Sequence, residues 1–313
     1  MLPPLRSAPD PHAGATPEAG PAPLARYARQ LALPDFGVEG QQRLVRGSVL
    51  LVGAGGLGSP AAIYLAAAGV GRLGIVDFDR VDLTNLHRQV LHGESDVGRP
   101  KTDSARDRLA NVNSTVRVET HPVRFSAHNA LELVRRYDVV VDGSDNFSTR
   151  YLVNDACVLT GTPDVFGSVL RFAGQVSVLA TPGGPCYRCL YPAPPPADTV
   201  PTCAEGGVRG VLPGLVGMIQ ATEAIKLLAG MGTSLAGRLL LVDALRMRFD
   251  AIDVEKDPRC PACGTREITE LVDDDERCAV GGNAGAPGRD EATSAISGLS
   301  RAAVDARAFH PRM

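Results

Sequence analysis

The sequence lacks the features that would mark a membrane protein, a nucleic-acid binder or a secreted scaffold. It has no uninterrupted run of about 18 apolar residues, which argues against a membrane span. Its formal net charge is -3, so there is no general attraction for nucleic acid. Cysteine is sparse, seven in 313 residues, too few for a disulfide framework in so long a chain, and four of the seven fall in two CxxC pairs. The first 24 residues have proline at 3, 4, 9, 11, 17, 21 and 23 and no continuous apolar segment of the signal-peptide kind. They read as a disordered leader, and the protein is expected in the cytoplasm. There is no repeat and no clear linker, so the 44% hydrophobic content is assigned to one domain over residues 25–272. The remainder, 273–313, is acidic and then rich in Ala, Gly, Ser and Arg, and reads as a disordered tail.

What is present is organised around Ser48 to Lys101. Val49 to Val52 is too short and apolar for anything but a buried parallel strand. Gly53, Gly55, Gly56 and Gly58 follow; without Cβ atoms they let the chain turn tightly and bring backbone N–H groups close to a phosphate. Ser59 is expected to cap the next helix, with Pro60 in its first turn and Gly69 as its left-handed stop. A second strand, Leu73 to Val76, leads to Asp77, which lies 19 residues beyond Gly58, where an acidic group would meet a ribose hydroxyl. A glycine turn of this kind alone points first to a nicotinamide or flavin enzyme. The polar run that follows, with Asn85, His87, Arg88, Gln89, Arg99 and Lys101, fits a triphosphate better, because β and γ phosphates need fixed cations that a dinucleotide does not. Taken singly, Arg88 and Lys101 read more readily as solvated surface charges.

Earlier in the chain, Arg26 to Gln30 is too polar for core, and by residue type Arg29 reads as part of an exposed helix start rather than an arm reaching a neighbouring site. Later, an apolar strand, Asp138 to Val141, ends in Asp142-Gly-Ser-Asp145-Asn146. Residues just past a parallel strand line the ligand crevice, so Asp145 would face the glycine turn and suit a magnesium ion; it could also cap the helix beginning near Phe147. From Pro163 two hairpins are expected, the first turning at Arg171 to Gly174, with a long apolar helix from about Gly214 to Leu228 between them. The fold class is therefore α/β: a Rossmann-like, mainly parallel sheet continuing into antiparallel strands.

Cys186-Tyr-Arg-Cys189 and Cys260-Pro-Ala-Cys263 supply four thiolates with no open position, which points to structural zinc rather than a redox pair or a hydrolytic metal. Cys157 reads as core. Cys203 lies in a Gly- and Pro-rich loop near Arg209, where a thiol could be a nucleophile, but the neighbouring Glu205 would raise its pKa and its role stays open.

In order, RYARQ, GAGGLGSP, DFDRVDLTNLHRQ, GRPK, DGSDN, CYRCL, TCAEGGV and CPACG resemble the ThiF/MoeB/HesA family, bacterial relatives of ubiquitin-activating enzymes, and within it the molybdopterin-synthase adenylyltransferases. The resemblance covers about residues 25 to 272. It implies an enzyme using Mg-ATP to adenylate the C-terminal glycine of a ubiquitin-like sulfur-carrier protein ending in Gly-Gly. It implies that Gly56 approaches the phosphates, Asp77 holds the ribose, Asn85, Arg88 and Lys101 contact the triphosphate, and Asp145 binds magnesium. Arg29 would reach across a homodimer, reversing the reading from residue type. Cys203 matches a cysteine that only some relatives use in sulfur transfer. Some relatives carry a C-terminal rhodanese-like domain and this sequence shows none, so a separate sulfur donor is expected. Adenylation of a small molecule or a tRNA base is the nearest alternative. An NAD-dependent oxidoreductase would leave Arg88, Lys101 and Asp145 without roles, and a non-catalytic scaffold would not need them.

Overall fold

Strand β1, Ser48–Val52, is buried along its whole length. Its side chains alternate between two cores: Val49 and Leu51 pack on one face of the sheet, Leu50 and Val52 on the other. A strand covered on both sides must be apolar at every position, which is why the sequence shows a solid run rather than an alternation. The structure, a computed structural model, describes residues 25–194 and 210–273. The leader at 1–24, Cys203 with its loop, and the tail beyond 273 lie outside the described residues.

Seven further strands complete one sheet: β2 (Arg72–Val76), β3 (Arg117–His121), β4 (Val139–Asp142), β5 (Asp164–Leu170), β6 (Ala173–Leu179), β7 (Arg238–Asp243) and β8 (Arg248–Asp253). Their order is β3-β2-β1-β4-β5-β6-β7-β8. The first five run parallel, and β5 through β8 pair antiparallel. The expected passage from a parallel to an antiparallel sheet is thus observed. The strand order reverses between β1 and β4, and the carboxyl ends on either side of that reversal are where an open α/β sheet leaves a crevice. The first hairpin turns more tightly than expected. Ala173 and Gly174 belong to β6, paired with Leu170 and Val169, so only Arg171 and Phe172 make the turn, with Arg171 at φ 53°.

The helix Val211–Ala229 packs against the first core, burying Leu212, Val216, Ala221 and Ala224. Its Gln220 Nε2 donates to the carbonyls of Asp142 (2.7 Å) and Val165 (2.8 Å), fastening it to β4 and β5. Among the described residues this is the one helix long and apolar enough to cross a membrane by length and composition, and its buried residues pack into the first core. On the opposite face, Ala130–Arg135 and Phe147–Thr160 cover the second core, where Cys157 is fully buried and its thiol pKa is pushed well up by that burial. The unit formed by this sheet and its helices ends at Leu271; of Val272–Met313, only Val272 and Asp273 are among the described residues.

Candidate active site

The glycine turn after β1 divides into glycines that pack and glycines that face the cleft. Gly53 sits at φ 98°, and a Cβ there would come 2.9 Å from the Gly143 carbonyl oxygen beyond β4. A Cβ on Gly58 would lie 1.9 Å from the Gly53 carbonyl oxygen. Gly58 therefore lets the helix Gly58–Ala68 start hard against the turn. Gly58→Ala is expected to cost roughly 3 kcal/mol or more, because the obstacle is backbone and cannot rotate away; urea unfolding checks this, and a wild-type midpoint would contradict the tight approach. Gly53 also lines the cleft, together with Gly55 and Gly56, the last beneath Pro213 and the Arg88 side chain.

Ser59 does not cap this helix. The helix begins two residues earlier than expected, with Leu57 at the N-cap position and no side-chain capping bond, while the Ser59 hydroxyl donates inward to the Ala54 carbonyl (3.2 Å). In its first turn the Ser59 N–H donates to the Gly55 carbonyl (2.9 Å) and Pro60 has no N–H, so what the terminus turns toward the cleft is chiefly its positive dipole end, which suits an anion. At the other end Gly69 is left-handed (φ 84°), as expected from the sequence.

The cations around this terminus are fixed. Lys101 is 5% exposed, and its Nζ lies 2.8 Å from Asp79 Oδ2. As the first residue of Lys101–Val112 it sits where the helix dipole disfavours a cation, so a ligand anion is the natural balance for its charge. Arg88 Nη2 donates to Asn85 Oδ1 at 2.5 Å. Arg88, Gln89, Lys101, Asp77 and Asp79 all line the cleft; Asn85 does not, and acts on it through Arg88. Asp77 Oδ2 accepts from the Ala54 N–H and Oδ1 from the Asp79 N–H, both at 2.8 Å, so this carboxylate also secures the turn.

Asp145 reaches the same cleft from the end of β4. The helix beginning at Phe147 is capped by Asn146 rather than by Asp145: Asn146 Oδ1 accepts from Thr149 N at 2.8 Å. Asp145 is exposed and takes no hydrogen bond or ion pair from any described residue. Behind it lies a group of residues the motif reading passed over. Asp142 is fully buried; Oδ1 accepts from Ser144 N (2.9 Å), and Oδ2 lies 3.9 Å from Arg150 Nε. Burial pushes the Asp142 carboxyl pKa up, against the pull of Arg150, and burial likewise pushes Asp164 well up. Arg150 lines the cleft, donates to the Ser144 carbonyl (3.2 Å) and lies over the rings of Phe147 and Phe166. The sequence signal was there: Arg150 stands one helical turn after Asn146. Arg29 lies on the short helix Ala28–Leu31, exposed, not among the residues that line the cleft and without a hydrogen bond or ion pair to any described residue.

The second site is formed by the four cysteines, whose sulfurs lie within 4.8 Å of one another. Observed Sγ–Sγ separations are 4.0 Å (Cys186–Cys189), 3.6 Å (Cys186–Cys260) and 3.4 Å (Cys189–Cys263). Tetrahedral zinc with Zn–S of about 2.3 Å requires about 3.8 Å, so the cluster fits that ion. The thiol of Cys186, with the N–H groups of Cys186 and Asp257, holds Cys189 down to about 5, while burial pushes Cys263 up to about 12. None of the four lines the cleft.

An uncapped helix terminus at the switch point of a doubly wound sheet, flanked by a buried lysine, an arginine and an unengaged carboxylate, defines a nucleotide-binding α/β protein with a separate cluster of four thiols able to hold a metal. Residues 27–262 match the model of the ThiF family, and the chain belongs to that family. It is 56% identical over 263 residues to the sulfur carrier protein adenylyltransferase of Thermus thermophilus, covering 82% of this chain and 97% of the relative. It is 54% identical over 261 residues to the probable adenylyltransferase/sulfurtransferase MoeZ of Mycobacterium tuberculosis, again over 82% of this chain but only 65% of that longer protein. Among solved structures, Escherichia coli MccB with MccA-N7isoASN has a TM-score of 0.68 at 22% identity, covering 76% of this chain and 74% of MccB, and shares the fold.

Proposed function

We propose that the chain is an ATP-dependent adenylyltransferase that activates the C-terminal glycine carboxylate of a ubiquitin-like sulfur-carrier protein ending in Gly-Gly. The observation that carries this reading is the convergence of the uncapped glycine-turn helix, Arg88 and Lys101 on one cleft, in a chain related along nearly the whole of a sulfur carrier protein adenylyltransferase.

The carrier carboxylate attacks the α-phosphorus of ATP, the bond to the β-phosphate breaks, and pyrophosphate leaves with its electron pair. The nucleophile is already an anion, so no general base is needed; the protein supplies alignment and charge neutralisation. Arg88 and Lys101 hold the β and γ phosphates, and Asp77 uses its remaining lone pairs on the ribose. The Gly55 and Gly56 N–H groups lie beside the phosphate chain. Asp145 would hold a magnesium ion, which offsets triphosphate charge when bound. Cys186, Cys189, Cys260 and Cys263 would hold zinc in a structural role. In this reading the enzyme is a cytoplasmic homodimer whose partner supplies Arg29, and a separate protein delivers sulfur.

ATP–pyrophosphate exchange, with each Gly-Gly carrier from the same genome offered in turn, tests the proposal. Exchange that requires one carrier and disappears in Asp145→Ala supports it. No exchange with any carrier from folded, metal-loaded protein would overturn it in favour of small-molecule or tRNA activation.

A further inference from the structure

The peptide between Ala54 and Gly55 is held from behind by a residue that no motif brought forward. The Ala54 carbonyl accepts from the Ser59 hydroxyl and lies 3.1 Å from His92 Nε2. A carbonyl only accepts, so Nε2 carries a proton. The other ring nitrogen, Nδ1, is 2.8 Å from Ser104 Oγ, on the helix that begins with Lys101. His92 is 7% exposed and Ser104 1%. Burial pushes the His92 pKa below its usual value, with Lys101 opposing a second proton and Asp77 and Asp96 favouring it. The Nε2 proton is the one the Ala54 carbonyl requires, while Nδ1 meets the Ser104 hydroxyl, which also bonds the Asp96 carboxylate.

In a planar trans peptide the C=O and the following N–H point in opposite directions. Drawing the Ala54 carbonyl inward therefore turns the Gly55 N–H outward, and Gly55 lines the cleft with no acceptor for that N–H among the described residues. We propose that His92 is a positioning residue: it fixes the Gly55 N–H toward the phosphate chain and keeps the glycine turn in register with the helix that carries Lys101. The inference rests on the nucleotide reading above.

Its test is titration calorimetry of the full chain with ATP and with adenosine, on wild type, His92→Gln, His92→Asn and His92→Leu. The glutamine amide nitrogen can stand where Nε2 stands; the shorter asparagine reaches only the Nδ1 position. His92→Leu and His92→Asn are expected to weaken ATP binding by about 10-fold while adenosine affinity stays within about 2-fold, and His92→Gln to retain ATP affinity within about 3-fold of wild type. Undiminished ATP binding by His92→Leu, asparagine matching glutamine, or a parallel loss of adenosine affinity would overturn the proposal. Should the leucine variant not fold, the glutamine–asparagine comparison decides. A wild-type protein that binds no ATP would overturn the nucleotide reading itself, and this inference with it.

Discussion

Lys101→Met is expected to lower kcat/KM for pyrophosphate exchange by ~10²–10³-fold while leaving the thermal midpoint within about 2 °C of wild type. Methionine preserves most of the buried stem, so packing around the 5%-exposed side chain is kept. The ammonium it removes pairs with Asp79, whose side chain is half exposed and can be solvated instead. That ammonium also opposes the dipole of the helix it begins, so its loss relieves as much as it costs in the free protein. The deficit should fall on the reaction, where charge passes to departing pyrophosphate. Wild-type exchange by this variant would remove Lys101 from the phosphate site; a large fall in the midpoint would make it structural.

The second large effect is on stability and spares the chemistry. Cys263→Ser, or removal of bound metal by a strong chelator, is expected to lower the thermal midpoint by about 10 °C. The cluster joins segments with 70 residues between Cys189 and Cys260. By analogy with a cross-link, closing a loop of that length restrains the unfolded chain by about 4 kcal/mol, and 1 kcal/mol moves the midpoint of a domain this large by about 2–4 °C. Because no cysteine of the cluster lines the cleft, kcat measured well below the lowered midpoint should stay within about 2-fold. Scanning calorimetry beside a metal assay separates the outcomes. An unchanged midpoint on complete metal removal would deny the cluster a structural role, and loss of kcat at low temperature would couple it to the cleft.

The core architecture was legible in the sequence because its signals are local or repeat. A solid apolar run, a glycine turn and a helix ended by Gly69 define a parallel unit wherever they occur, and the end of β4 follows the same rule, which is how Asp145 came to be placed at the cleft. The two-residue error in the N-cap, Ser59 expected and Leu57 found, has a physical cause. A hydroxyl near a helix start bonds whichever backbone group is nearest, and here that is the Ala54 carbonyl rather than an N–H of its own helix. His92 escaped notice because its partners, the Ala54 carbonyl and the Ser104 hydroxyl, are distant in sequence, and such partners leave no pattern in residue order. Arg88 and Lys101 could not be told from surface charges one at a time. The burial of Lys101 depends on Asp79, 22 positions earlier and on a different element.

The spacing of the four cysteines also bears on the order in which the protein is made. Cys186 and Cys189 emerge during synthesis long before Cys260 and Cys263, so for 70 residues of elongation the chain carries half a metal site. A premature stop would leave Cys186 without Cys260 and Cys189 without Cys263, their neighbours 3.6 Å and 3.4 Å away in the completed cluster. With a metal in the cluster, a full complement would report that the chain had been read through beyond its last sheet strands, and a truncated product would keep a pair of thiols without the other two.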